Sequence, residues 1–198
     1  MTAKITVGIR ELFLVVLVSA SAFVVAACGK SSGGDVGAAN FKAKKIAKDE
    51  PTLGARQALG DFSFQPPKGS FERKDQGDNN IWQATGEPRW NAVVKQSTSR
   101  APTMAEMKGM AAKPPEGAKL VGDAAEVDLA GLKALRLEID QTMGANEIFQ
   151  MSYWIPVKED GTTGMFYQVT FTGKQKERAA LKPIFEACAK TIVTPHAS

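Results

Sequence analysis

The sequence predicts an α+β domain, an antiparallel β-sheet with helices packed on both faces, carried behind a membrane-targeting leader. Three observations predict it. Apolar and polar side chains alternate with a period of two in several segments between Leu135 and Phe171. An apolar stripe at helical spacing closes the chain, and residues 12–27 are almost wholly apolar.

The leader comes first. Lys4 and Arg10 precede a run from Leu12 to Ala27 whose only polar members are Ser19 and Ser21. A cationic head, an apolar core and small residues before a cut site make a secretory signal. The run is shorter than the roughly 20 residues that span a hydrocarbon core, and no stop-transfer cluster follows it directly, so it does not read as an uncleaved anchor. Val25-Ala26-Ala27-Cys28 resembles the bacterial lipobox, in which the cysteine is lipidated on sulfur and the signal is cleaved at its amino side. That resemblance implies a signal peptide over 1–27 and an acylated, palmitate-bearing Cys28 that fixes the protein to a membrane. Each buried methylene contributes roughly 0.8 kcal/mol, so two or three acyl chains hold essentially permanently. Gly29, rather than Asp, follows the cysteine. By resemblance to the sorting rule of Gram-negative lipoproteins, this implies the periplasmic face of the outer membrane if the source is Gram-negative.

Cleaving 27 of the 198 residues leaves 171, enough for one domain and a tether. The leader carries Lys4, Arg10 and Glu11, so the whole chain's net charge of +4 falls to +3. So mild a charge does not argue for nucleic acid, which needs clustered cations on one face. With Cys28 lipidated, Cys188 is the remaining cysteine, and no intramolecular disulfide is available. Residues 28–60 read as the lipidated terminus and a flexible linker, beginning with the Gly/Ser stretch 29–34. Lys42, Lys44, Lys45 and Lys48 could meet anionic headgroups, but Asp49 and Glu50 dilute the field, and a solvated tether explains them.

The domain is expected over 61–194, with a tail at 195–198. Phe62 and Phe64 form a short strand running into the turn Pro66-Pro67-Lys68-Gly69. Two strands follow, around 81–85 and 90–96. The stretch Thr103 to Ala112, opened by Pro102 and stopped before Pro114-Pro115, reads as a helix. Leu135, Leu137 and Ile139 alternate with Arg136, Glu138 and Asp140, which predicts one dry and one wet side. Phe149 to Val157 and Met165 to Phe171 repeat the period and form a hairpin across Lys158-Glu159-Asp160-Gly161. In the last segment Leu181, Ile184, Phe185, Cys188 and Ile192 make a helix that packs on the sheet. Pro183 either lies in its first turn, with the helix starting near Lys182, or kinks a longer one.

The opening Phe-Ser-Phe-Gln-Pro-Pro-Lys-Gly, the strand Gly131-Leu132-Lys133-Ala134-Leu135-Arg136 and the strand Tyr167-Gln168-Val169-Thr170-Phe171 resemble the corresponding segments of the PsbP-like superfamily. The resemblance spans roughly 61–194. It implies an α/β/α sandwich, as in photosystem II extrinsic proteins, a nuclear-import Ran-binding factor and DcrB- and LpqN-like envelope lipoproteins. It implies a habit of binding and no particular reaction, because the family shares no catalytic set.

Chemistry is sparse. His196, the single histidine, lies beyond Pro195 at the chain end. Cys188 falls on the apolar stripe, where cysteine behaves as a small hydrophobe. One histidine and one free cysteine cannot fill a tetrahedral metal site, and no phosphate-binding glycine motif occurs, so no metal or cofactor is expected. Glu138 and Asp140 share one side of a strand, the geometry of a paired-carboxylate hydrolase, but Arg136 on the same side makes a charged strand surface the simpler reading. Met104, Met107 and Met110 read as a helix face docking on the sheet.

A polar-aromatic surface remains. Gln150, Ser152 and Trp154 point away from Phe149, Met151 and Tyr153, and Gln168 and Thr170 do the same on the neighbouring strand. With Arg136 these residues form the candidate binding surface, since Trp and Arg are favoured anchors. Equally, Trp154 could lie under the methionine helix as core. The expectation is a lipid-anchored, non-catalytic binding or accessory protein of the bacterial envelope. Its partner would be an envelope protein or a small amphiphile. The alternatives are a hydrolase using Glu138 and Asp140 and a carrier of a hydrophobic ligand.

Overall fold

A computed structural model describes residues 52–97, 101–129, 131–157 and 165–194, all within one compact unit, 46–198. The leader, the lipobox (Val25, Ala26, Ala27, Cys28) and the lysine run lie outside the described residues.

Two short strands open the domain, β1 (Gln57–Leu59) and β2 (Phe62–Phe64), paired antiparallel. Composition groups residues 52–60 with the linker, yet they belong to the folded unit. Leu53 is buried and bridges Pro67, and the Arg56 guanidinium donates to the Thr191 carbonyl at 2.8 Å. Next come β3 (Phe71–Gln76), β4 (Asn79–Ala84) and β5 (Trp90–Ser97). Helix α1 (Met104–Ala111) follows, then β6 (Ala118–Leu120), β7 (Ala125–Leu129), β8 (Leu132–Met143), β9 (Asn146–Pro156) and β10 (Phe166–Lys174). A 3-10 turn, Gln175–Glu177, leads into α2 (Arg178–Lys190).

Strands β3 to β10 form one sheet in the order β3-β4-β5-β10-β9-β8-β6, with β7 also paired to β8, and every pairing is antiparallel. The expected hairpin of β9 and β10 is present, Val169 opposite Tyr153. At one margin β3 carries Glu72, Arg73, Lys74 and Asp75, which mask its alternation in the sequence and suit an exposed edge. At the other, β6 and β7 pair in tandem along the outer edge of β8.

The α2 face of the sheet holds the apolar core. Phe149 and Phe171 stack on Phe185 of α2, with ring centroids 5.6 and 5.3 Å away. The β1–β2 hairpin covers the rest of this face, Phe62 stacking on Tyr167 and Phe64 meeting Trp82 edge-on at 5.0 Å. Gly173 permits the approach of α2, since a Cβ there would stand 2.6 Å from Leu181 and 2.9 Å from the Phe149 ring. Pro183 lies inside α2, which begins at Arg178, so a start near Lys182 is excluded.

The second helix is on the other side. In α1, Thr103 accepts from the Glu106 amide and Glu106 reaches back to the Thr103 amide, a capping box that sets its start. Lys108 pairs with Glu126, which stands opposite Leu135 and so shares that side of the sheet. Of the methionine run, Met107 is buried and Met104 and Met110 are half-buried, as expected of a helix docking on the sheet.

Candidate functional site

The paired carboxylates lie in a different setting from the one their alternation predicts. Glu138 stands opposite Met151 and Asp140 opposite Phe149, so both face α2 rather than solvent. Glu138 is 6% exposed and pairs with Arg178 at 3.1 Å and Lys182 at 2.8 Å. Arg178 also pairs with Asp140 and lies over the Phe149 ring, and Gln175 donates to Asp140 at 3.3 Å. These contacts fasten the first turns of α2 to β8. The wet side expected of this strand is a second packed side because charged α2 residues meet its charges. A carboxylate engaged by two cations is poorly placed to act as a general acid or base.

Arg136 belongs to the same clamp. It stands opposite Tyr153 and pairs with Glu186 of α2 at 3.2 Å. It therefore lies across the sheet from the rest of the predicted binding surface. Burial raises the Tyr153 hydroxyl pKa well above its ordinary range, with nearby Arg136 opposing the shift. Burial likewise pushes the Cys188 thiol up, which leaves it protonated and unreactive on the inner side of α2.

The other five predicted residues do come together. In register, Leu135, Trp154 and Gln168 form one row across β8, β9 and β10. Leu137, Ser152 and Thr170 form the next, and Ile139, Gln150 and Thr172 a third. All nine side chains are buried. The result is a polar strip with an aliphatic row on its β8 side and Phe166, edge-on to Trp154, at one end. The Ser152 and Thr170 hydroxyls share a 2.5 Å hydrogen bond. Trp154 Nε1, Thr172 Oγ1 and, farther along β8, Gln141 Oε1 are buried without a hydrogen-bond partner. Each such group costs about 1–3 kcal/mol of desolvation left uncompensated. Thr172 and Gln141 escaped the sequence reading because each merely extends an alternation beyond the residues that flank Trp154.

A separate half-open cleft of about 440 Å³ lies at the β8–β9 turn, lined by Thr142, Asn146, Glu147, Lys174 and Lys176 among others. It mixes charges of both signs and holds no paired catalytic groups. Among the described residues no cluster of three or more His, Cys, Asp or Glu side chains could hold a metal ion. No helix among them is long and apolar enough to cross a membrane.

No protein-family model and no curated protein sequence matches the chain. Solved structures do. The solution structure of cyanobacterial PsbP from Synechocystis superimposes with a TM-score of 0.54 at 15% identity, over 76% of this chain and 98% of that one. The crystal structure of LpqN, involved in cell envelope biogenesis of Mycobacterium tuberculosis, superimposes at 0.49 with 14% identity, over 74% of this chain and 87% of that one. The fold is therefore PsbP-like and of the α+β class. At such identities the likeness carries the fold and leaves the activity to be argued from the site.

Proposed function

We propose that this protein is a lipid-anchored, non-catalytic binding or accessory protein of the bacterial cell envelope. The observation that carries the reading is Val25-Ala26-Ala27-Cys28 at the end of the apolar leader. Acyl chains on Cys28 would confine the PsbP-like domain to a membrane surface. Residues 29–51 would form the leash, with a coil dimension of about 25 Å. Gly29 favours the outer membrane in a Gram-negative cell.

Engagement of Glu138 and Asp140 by Arg178 and Lys182 supports a non-catalytic role. We assign the binding role to the strip of Trp154, Gln150, Ser152, Gln168 and Thr170, which is buried and must be uncovered before an envelope protein or a small amphiphile reaches it. Arg136 serves the α2 clamp instead. The test is labelling with palmitate and fractionation of cells producing the full chain or Cys28→Ser. The expected result is a labelled protein in the membrane fraction and an unlabelled variant outside it. An unlabelled parent, or a variant whose fractionation does not change, would overturn the anchor.

A further inference from the structure

We infer that the cleft at the β8–β9 turn is a binding site for a zwitterionic acidic ligand, an acidic amino acid or a short peptide ending in one. The site lies apart from the strip on the α1 side and goes beyond the binding role assigned there. The cleft holds about 440 Å³, within the ~300–1,000 Å³ of small-molecule sites. One wall is the turn itself, where Met143 stands opposite Asn146 and Gly144, at φ +59°, reverses the chain within two residues. The other is the chain that leaves β10 through Lys174, Gln175 and Lys176. Lys174 stands opposite Ile148 in the sheet and Gln175 donates to Asp140 at 3.3 Å, so both walls are set before any ligand arrives.

The charges of the lining select the ligand. Glu147 on one wall and Lys176 on the other are exposed, and among the described residues neither side chain has an ion-pair or hydrogen-bond partner. Lys174 reaches Glu87 at 3.7 Å, longer than a hydrogen bond. Gln175 spends its side-chain N–H on Asp140, and its Oε1 is buried with no donor. The cleft thus offers two ammonium groups to carboxylates, and a carboxylate and an amide oxygen to an ammonium. A plain anion would be opposed by Glu147 and a plain cation by the two lysines, whereas a molecule of both signs answers each. Two cations against one anion favour a ligand with one carboxylate more than its ammonium, the balance of an acidic amino acid. Position favours a soluble ligand over a headgroup of the anchoring membrane. Arg56 fastens the start of the domain to Thr191, at the C-terminal end of α2. Gln175 and Lys176 precede the other end, about 20 Å away along the 13 residues of the helix. A tether joining the domain near Thr191 leaves the cleft at the remote end.

Calorimetry with the full chain in a nonionic detergent tests the site. The probes are glutamate and alanylglutamate, each unmodified, N-acetylated and with its carboxylates amidated. Saturable binding of at least one unmodified probe is expected, with its acetylated and amidated forms about tenfold weaker, since each lacks one of the two charges. Tighter binding of alanylglutamate than of glutamate identifies a peptide end, and equal or weaker binding identifies a free amino acid. Glu147→Gln and Lys176→Gln should each weaken binding about tenfold. Both side chains are exposed, so the melting temperature should stay within about 2 °C. Absence of saturable binding by both unmodified probes overturns the inference. So do blocked probes that bind as tightly as their parents, or affinities unchanged in both variants.

Discussion

On the α2 side of the sheet, Phe149, Phe171 and Phe185 stack and every buried charge has an opposite partner, whereas on the α1 side the same two strands present glutamines, hydroxyls and an indole. Strands β9 and β10 contribute to both sides through alternate residues. The difference therefore lies entirely in parity along the chain. Stability is concentrated where Met151, Tyr153 and Phe171 point, and buried uncharged polar groups where Ser152, Trp154 and Thr172 point. One face of the sheet thus carries the aromatic core and its reverse a buried, uncharged polar strip.

The sharpest way to break this comparison is to truncate each side in turn. Phe185→Ala removes the ring on which two others stack and should cost about 3–5 kcal/mol in denaturant unfolding. A loss below 1 kcal/mol would mean that the core lies elsewhere. Glu138→Ala strands Arg178 against Asp140 and frees Lys182. Because those cations are partly exposed, the expected cost is about 1–3 kcal/mol, with no loss of activity in any hydrolase assay.

Alkaline pH probes the same side. Above the ordinary thiol pKa of 9.0, Cys188 in the unfolded chain releases its proton while the buried thiol keeps it. The unfolded state then binds fewer protons, so stability falls as pH rises, by about 1.4 kcal/mol per pH unit. Tyr153 adds an equal slope above about pH 10 by the same sign. Stability measured from pH 8 to 11 should fall less steeply in Cys188→Ala by the thiol's share. The smallest effect belongs to the α1 side. Replacing both members of the Ser152–Thr170 pair, as Ser152→Ala with Thr170→Val, should change stability by less than about 1 kcal/mol. A larger loss would show that the strip, too, is structural.

Much of this was legible in the sequence. Strands β5, β8, β9 and β10 and helix α1 announce themselves because their apolar residues repeat at a single period and prolines or capping residues bound them. Strand β3 does not, since an edge strand needs few apolar side chains. The five residues on β9 and β10 could be grouped because alternation along two adjacent strands fixes their side. Arg136 was misassigned to them for a physical reason. Parity along β8 separates it from Leu135, but only the β8–β9 register, Arg136 opposite Tyr153, says which side of β9 it accompanies. The fate of Glu138 and Asp140 was equally hidden, because Arg178 and Lys182 lie about forty residues further along and a non-local ion pair leaves no local pattern.

The arrangement of the sheet margins has a consequence for molecules concentrated on a surface. Along β8 the outer hydrogen bonds are taken by β6 and then β7, with the Val121 amide continuing the pairing onto the Glu138 carbonyl between them. A neighbouring copy finds there no long, vacant backbone to copy, and at β3 it meets the charges of Glu72, Arg73, Lys74 and Asp75. The short β6 and β7 at one end and the charges of β3 at the other thus disfavour cross-strand growth between crowded copies.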